Sequence, residues 1–296
     1  MSSFMDDSMI GRWLSDLPMD DPTRKSTSHP QLRRFVHHEK PIRYIQFLGG
    51  GTEGDVYLVK IEGRDYALKV PLKFKQWRFD APLSIKRRLK ERETHYVSPI
   101  ANEARAFARL DSLGKNGTWA VKCHGWMKLS GKQRLKYLSH HTPWAIVKDY
   151  RPNPMTLDDV PEIRRKMKIA RKALLFPDDT QPRNYRGSFL VDLGRVTTYP
   201  YPRALWSNEK RRQYFKSFDK EASEWVECVR DGEVISGSIN EILKENIIRG
   251  IAIAEGYEDE IRAADLRKML KESEERLERR RKAKENQEME SKKRHK

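Results

Sequence analysis

Short apolar runs separated by turn-forming residues occupy the stretch between residues 44 and 150. The runs Tyr44 to Leu48, Tyr57 to Val59 and Tyr66 to Val70 have the length and composition of β-strands. Two later runs, at 119–126 and 144–150, are rich in tryptophan and aliphatic residues and predict two further strands. We therefore expect a five-stranded antiparallel sheet in the N-terminal part of the domain.

Helical spacing of apolar residues replaces these short runs elsewhere in the chain. One helix is expected at 98–110, where Ser98 is a natural N-cap, and another at 155–176. Apolar stripes at 207–229 and 238–254 predict two more helices. From residue 257 onward the chain is almost wholly charged, which is typical of a long solvated helix or a disordered tail.

These patterns divide the 296 residues into three parts. Residues 1–40 are expected to be a flexible segment, residues 41–256 a folded domain, and residues 257–296 a basic tail. Within the domain the boundary between an N-lobe and a C-lobe is expected near residue 150. Neither a membrane span nor a secretory signal is recognisable, and two cysteines supply no disulfide framework. We therefore expect an intracellular protein, either nuclear or cytoplasmic.

A glycine-rich motif, G-x-G-x-x-G-x-V, joins the first two predicted strands. It consists of Gly49, Gly51, Gly54 and Val56, and Lys69 follows thirteen residues after the valine. A dinucleotide-binding motif requires a helix directly after the glycines, whereas a strand follows here, so that interpretation fails. A glycine hairpin between strands is the device that protein kinases fold over the phosphates of ATP.

Acidic residues and an asparagine occur further along at the spacing that phosphoryl transfer requires. Asp179 and Asn184 form a D-x-x-x-x-N pattern, and Asp192 opens an Asp-Leu-Gly sequence. Asp179 is expected to orient an attacking hydroxyl, while Asn184 and Asp192 are the candidate ligands for Mg²⁺. Together with Lys69 and Glu103, Asp179 completes the predicted catalytic set.

The expected nucleotide contacts follow from the same arrangement. Lys69 would contact the ATP phosphates, and Glu103 would hold Lys69 in place. The backbone of the glycine motif would cover the phosphates. The backbone near Asp149 and Tyr150, at the end of the fifth strand, would meet the adenine edge. ATP and Mg²⁺ are therefore the predicted cofactors.

Several departures from the kinase pattern weaken the expectation of activity. Pro177 and Asp178 stand where His-Arg normally precedes the catalytic aspartate, and neutral Gln181 replaces the usual lysine. An A-P-E segment does not follow Gly194. Nucleotide binding is therefore better supported than protein phosphorylation.

The residues that resemble a known family are spread over about residues 42–200, and they comprise Tyr66 to Lys69, the helix at 98–110, Ile146 to Tyr150 and Asn184 to Asp192. The chain resembles a divergent eukaryotic protein-kinase-like domain. More narrowly, it is similar to a fungal family named after a kinetochore-complex subunit. The first resemblance implies an α+β, two-lobed fold with a compact helical C-lobe. The second implies a nuclear, chromatin-associated role.

Three functions remain open at this stage. The chain is expected to bind ATP and Mg²⁺ and to transfer the γ-phosphoryl group to a protein hydroxyl, or to be a pseudokinase-type scaffold, or to be a small-molecule kinase. Its formal net charge of +17 also predicts attraction of the basic tail to nucleic acid or an acidic protein, although a merely solvated surface explains that charge equally well. An unknown protein partner or substrate is expected in each case.

Overall fold

The computed structural model of the chain describes residues 9–50, 53–72, 99–135, 138, 141–177 and 179–199, with position 212 and scattered positions from 264 to 282. The chain divides into two units, residues 1–232 and residues 233–296. In the second unit the described positions are helical, and Lys282 Nζ lies 2.9 Å from the Glu278 carboxylate, one turn earlier. This ion pair is of the i, i+4 kind that supports a solvated charged helix.

Between residues 9 and 199 the described part of the first unit contains eleven strands and two α-helices. The strands are β1 (Leu14–Pro18), β2 (Leu32–Arg34), β3 (Arg43–Gly50), β4 (Gly54–Ile61), β5 (Arg64–Pro71), β6 (Cys123–Lys128), β7 (Trp144–Asp149), β8 (Leu175–Pro177), β9 (Tyr185–Arg186), β10 (Phe189–Leu190) and β11 (Val196–Thr198). The helices are α1 (Pro99–Ser112) and α2 (Val160–Ala173).

Seven strands form one mixed sheet in the order β1-β2-β6-β7-β5-β4-β3. Within it, β3, β4, β5, β7 and β6 pair antiparallel with one another in that order. They correspond to the five apolar runs of the sequence, although β6 begins four residues later than its predicted run. The α+β class is thereby confirmed. The expectation of a five-stranded, purely antiparallel sheet is wrong, because β2 pairs parallel with β6 and β1 pairs parallel with β2.

The two added strands come from the segment that composition predicts to be flexible. Met9 and Leu14 are fully buried, and the indole Nε1 of Trp126 donates to the Ser15 carbonyl at 3.0 Å. Gly125 permits the close approach of β2 to β6, because a Cβ there would lie 2.5 Å from the Arg33 carbonyl oxygen. A few well-spaced apolar residues thus anchor residues 9–35 to the core, despite the polar residues between them.

Helix α1 lies against β2 and β11 and carries the centre of the core. Ala101, Ala104 and Phe107 are fully buried, as is Glu103 on the same helix. The small alanines allow the helix to approach the sheet closely, and Phe107 fills the space that they leave. Glu103 is therefore carried into the interior on the buried face of α1.

The compact helical C-lobe is not confirmed. The described residues after β7, up to residue 199, contain one α-helix and two short strand pairs, β9 with β10 and β8 with β11. Helix α2 is shorter than the predicted 155–176, since it begins beside Pro161 and ends where Leu174 takes a left-handed conformation (φ 57°). The helices expected at 207–229 and 238–254 lie, apart from position 212, outside the described residues.

Candidate functional site

A buried ion pair links the sheet to helix α1. Lys69 on β5 and Glu103 on α1 are 34 residues apart in the sequence, yet Lys69 Nζ lies 2.7 Å from Glu103 Oε2. The Glu103 side chain is fully buried and that of Lys69 is 4% exposed. Burial of both charges is tolerable because they neutralise each other. The structure therefore brings together the two residues that the sequence paired as nucleotide-site partners.

A second lysine shares the same carboxylate. Lys148 Nζ on β7 lies 2.7 Å from Glu103 Oε1 and also donates to the Val191 carbonyl at 2.8 Å. The strand register pairs Lys148 with Ala67 and Lys69 with Ile146, which places both lysines on one face of the sheet. Sequence reasoning placed Lys148 in the strand at 144–150 but gave its side chain no role. The signal that it missed is a lysine that directly follows four apolar residues in a buried strand.

Asp192, from the Asp-Leu-Gly turn, is a second carboxylate partner of Lys69. Its Oδ1 accepts a hydrogen bond from Lys69 Nζ at 2.9 Å and another from the backbone N–H of Gly194 at 2.9 Å. Burial would raise the pKa of Asp192, but the neighbouring ammonium groups of Lys69 and Lys148 hold it below its ordinary value. Asp192 remains ionised at neutral pH, as a cation ligand must be.

The carboxylates around Lys69 favour its protonated form. Burial alone would lower the pKa of Lys69, but the surrounding carboxylates, with Asp192 first, raise it above its ordinary value. One of these carboxylates belongs to Glu53, at the end of the glycine turn, whose Oε2 is 3.5 Å from Lys69 Nζ. Sequence reasoning did not select Glu53, because it stands at a variable position of the glycine motif.

The glycine motif is folded as the hairpin between β3 and β4. Gly49 pairs with Val56 and has a φ of +149°, a value that favours glycine. At Gly54 a Cβ would lie 2.6 Å from the Val70 carbonyl oxygen, so packing against β5 already requires glycine there. Val56 continues the register opposite Lys69. Gly51 lies outside the described residues.

Asp179 and Asn184 form a separate group. Asn184 Nδ2 donates to the Asp179 backbone carbonyl at 3.3 Å, and the Asp179 side chain accepts from the Gln181 N–H and from Arg183, each at 3.4 Å. The Asn184 carbonyl accepts from Val191 N–H at 2.8 Å, which ties this loop to the segment leading to Asp192. Among the described residues, the side-chain partners of Asp179 stay within its own loop.

Asp149 and Tyr150 stand at the far end of β7. Asp149 Oδ1 accepts from His124 Nε2 at 2.6 Å and from Arg64 at 3.0 Å. The hydrogen bond from His124, with burial opposing it, holds the pKa of Asp149 below its ordinary value. The two partners come from the strands on either side of β7, so the Asp149 side chain links the end of β7 to both β5 and β6.

Neither a metal cluster nor a membrane helix is evident in the described ranges. The residues described there include no group of three or more His, Cys, Asp or Glu side chains arranged to hold a metal ion. The predicted Mg²⁺ ligands Asn184 and Asp192 therefore stay a prediction. None of the described helices is long and apolar enough to cross a bilayer.

Comparison with known proteins identifies one family. The model of the family described as "Kinetochore Sim4 complex subunit FTA2" matches residues 17–197. This stretch begins within β1, ends within β11 and includes the whole ionic cluster. A search of curated proteins finds no match to the chain.

Proposed function

The chain belongs to the family described as kinetochore Sim4 complex subunit FTA2, and from this premise we propose that it is an interaction subunit of a kinetochore protein complex in the nucleus. The observation that carries the proposal is the extent of the match, residues 17–197, which includes six strands of the large sheet, the end of β1 and both α-helices. The match therefore extends over a folded unit and is not confined to the glycine motif or to the ionic cluster.

The ionic cluster has a structural role that suits an interaction subunit. Glu103 holds Lys69 of β5 and Lys148 of β7, so one buried carboxylate joins a helix to two strands. Breaking a buried, hydrogen-bonded charge network is costly, which makes the packing of α1 on the sheet unique. A rigid platform of this kind presents its surface to partner subunits without any need for catalysis.

Localisation and complex purification test this role. The tagged chain, expressed at its natural level, should coincide with a centromeric histone marker and should co-purify with other kinetochore subunits in quantitative mass spectrometry. Asp179→Asn should leave both results unchanged, whereas Leu14→Asp, which places a charge at a fully buried site, should abolish them. A folded wild-type chain that spreads evenly through the cell would contradict the proposal.

Nucleotide binding is the second candidate function, and a specific contact favours it. Lys69, Glu103 and Asp192 converge from β5, α1 and the Asp-Leu-Gly turn. A lysine fixed by a buried glutamate beside an ionised aspartate can bind phosphate and, through the aspartate, a hard cation. The glycine hairpin lies next to this group, since Val56 pairs with Lys69. Phosphoryl transfer to a protein or metabolite hydroxyl would require Asp179 in addition.

Thermal unfolding with ATP and Mg²⁺ tests nucleotide binding. A ligand at a hundredfold excess over its dissociation constant should stabilise the fold by about 2.7 kcal/mol. Asp192→Asn should remove the Mg²⁺ dependence of that effect, while the exposed Asp16→Asn should not. Equal unfolding temperatures with and without nucleotide at millimolar concentration would exclude this candidate and leave the interaction role standing.

A further inference from the structure

Glu53 turns inward from the glycine-rich hairpin. It stands directly before β4, and its backbone carbonyl accepts from Leu72 N–H at 3.1 Å, which fixes the residue against the end of β5. Its side chain is 16% exposed, although it belongs to a turn at the edge of the sheet. The hairpin therefore delivers a carboxylate into the ionic cluster.

Two cations from distant segments receive this carboxylate. Glu53 Oε2 lies 3.5 Å from Lys69 Nζ, and Glu53 Oε1 lies 3.7 Å from Arg195 Nε. Lys69 belongs to the sheet, whereas Arg195 follows the Asp-Leu-Gly turn and is 57% exposed. An ammonium group and a guanidinium group on either side of one oxyanion are also the groups that proteins use to bind phosphate.

Gly194 provides the space that the carboxylate occupies. A Cβ at this position would collide with Glu53 Oε2, so any other residue would displace the Glu53 side chain. The Gly194 N–H is directed to Asp192 Oδ1 at 2.9 Å, which holds the turn in place beside the cations. Lys69, Gly194 and Arg195 thus form a corner that is shaped to accept an oxyanion, and we call these three residues the phosphate corner.

We propose that the phosphate corner is a binding site for the phosphate groups of a nucleotide or polyphosphate, and that the chain closes it with its own Glu53 carboxylate. A phosphate ligand enters only when Glu53 leaves the corner. Only the choice of a nucleotide as the ligand rests on the second candidate function. Phosphate binding at the corner does not, because it can be tested with inorganic tripolyphosphate. The interaction role of the chain does not depend on it.

The electrostatic surroundings of Glu53 make such an exchange feasible. Burial raises the pKa of the Glu53 carboxyl above its ordinary value, although Lys69 opposes this, and the nearby Asp192 and Glu103 raise it further. The ionised side chain is therefore held in a place that is unfavourable to it overall. A closing group of this kind can be displaced by a ligand that brings its own Mg²⁺ to offset the neighbouring carboxylates.

Calorimetric titration of tripolyphosphate and of ATP with Mg²⁺ tests the proposal. The proteins to compare are the full-length wild type, Glu53→Ala, and Glu53→Ala combined with Arg195→Ala. Glu39→Ala is the matched control, because it changes the net charge equally at a side chain that is 88% exposed. If the closed form is about ten times more populated than the open one, Glu53→Ala should bind tripolyphosphate about tenfold more tightly than wild type.

Each outcome decides a separate point. The gain in tripolyphosphate affinity should be absent in Glu39→Ala and lost in the double variant. A Glu53→Ala protein that unfolds at the wild-type temperature but binds no more tightly than Glu39→Ala would overturn the proposal, as would a gain that survives Arg195→Ala. Wild type that already binds ATP as tightly as Glu53→Ala would also overturn it, but would uphold the nucleotide function. A gain for tripolyphosphate without any binding of ATP would uphold the corner and exclude the nucleotide function.

Discussion

Replacing Glu103 with alanine removes a carboxylate that two buried ammonium groups share. Glu103 is fully buried and lies 2.7 Å from both Lys69 and Lys148. Lys69 keeps Asp192 as a partner after the change, whereas Lys148 keeps the Val191 carbonyl, which carries no charge. The variant therefore leaves at least one buried charge without an ionic partner.

The expected loss of stability is large. Removing one member of a buried ion pair costs about 3–5 kcal/mol, which is a substantial fraction of the stability of a typical domain. Glu103→Gln keeps the shape and one acceptor for a lysine, so we expect a smaller loss of about 1.5–3 kcal/mol. Combining Glu103→Ala with Lys148→Met should recover part of the loss, because it removes the unpaired charge. The coupling energy should be about 0.5–3 kcal/mol.

Urea unfolding followed by tryptophan fluorescence measures these differences. The buried Trp119, Trp126 and Trp144 report on the same core. Glu162→Gln is a suitable control, since Glu162 pairs with Arg165 at 2.6 Å on the solvated face of α2 and should change the midpoint very little. A Glu103→Ala protein that loses less than about 1 kcal/mol at an unchanged denaturant slope would refute the buried, shared ion pair.

Leu14→Ala, at a fully buried position of the unexpected strand β1, should lower the free energy of unfolding by about 2–5 kcal/mol, whereas Leu17→Ala at a 44% exposed position should change it little. Equal effects in calorimetry would argue against β1. In a Cys228→Ser background, the Cys123 thiol should react with a disulfide reagent only in denaturant, because burial raises its pKa; rapid reaction of the native protein would contradict this burial. Glu53→Gln should raise the unfolding temperature at pH 7, since the elevated pKa of Glu53 makes its ionised form unfavourable. The difference in unfolding temperature between Glu53→Gln and wild type should shrink as the pH falls through this pKa toward 4.5. A difference that stays constant across this pH range would refute the raised pKa of Glu53.

Much of the sheet was predictable because local composition dominates there. The strands β3, β4, β5 and β7 coincide with short runs of aromatic and aliphatic residues, which favour strands, whereas β6 overlaps only the second half of its predicted run, 119–126. The pairing of Lys69 with Glu103 also followed from sequence order. The ATP and Mg²⁺ roles assigned to these residues remain predictions.

The N-terminal strands could not be predicted in this way. Around Leu14 and Leu32 the chain is polar and rich in proline and serine, and its burial depends on contacts with β6, about a hundred residues away. A helical C-lobe was expected by analogy with kinases. The described residues between β7 and residue 199 instead contain one α-helix and two short strand pairs. Analogy with a fold family does not determine the pairing of segments this short.

The sequence by itself determined the α+β class, the approximate positions of the five central strands and the membership of a kinetochore subunit family. These features depend on local composition or on residues compared position by position. Only the tertiary structure decided that Glu53 and Lys148 join Lys69 and Glu103, and that residues 14–34 extend the sheet. The burial of a charge and the pairing of a strand edge depend on which distant segments meet, and that information is present only once the chain has folded.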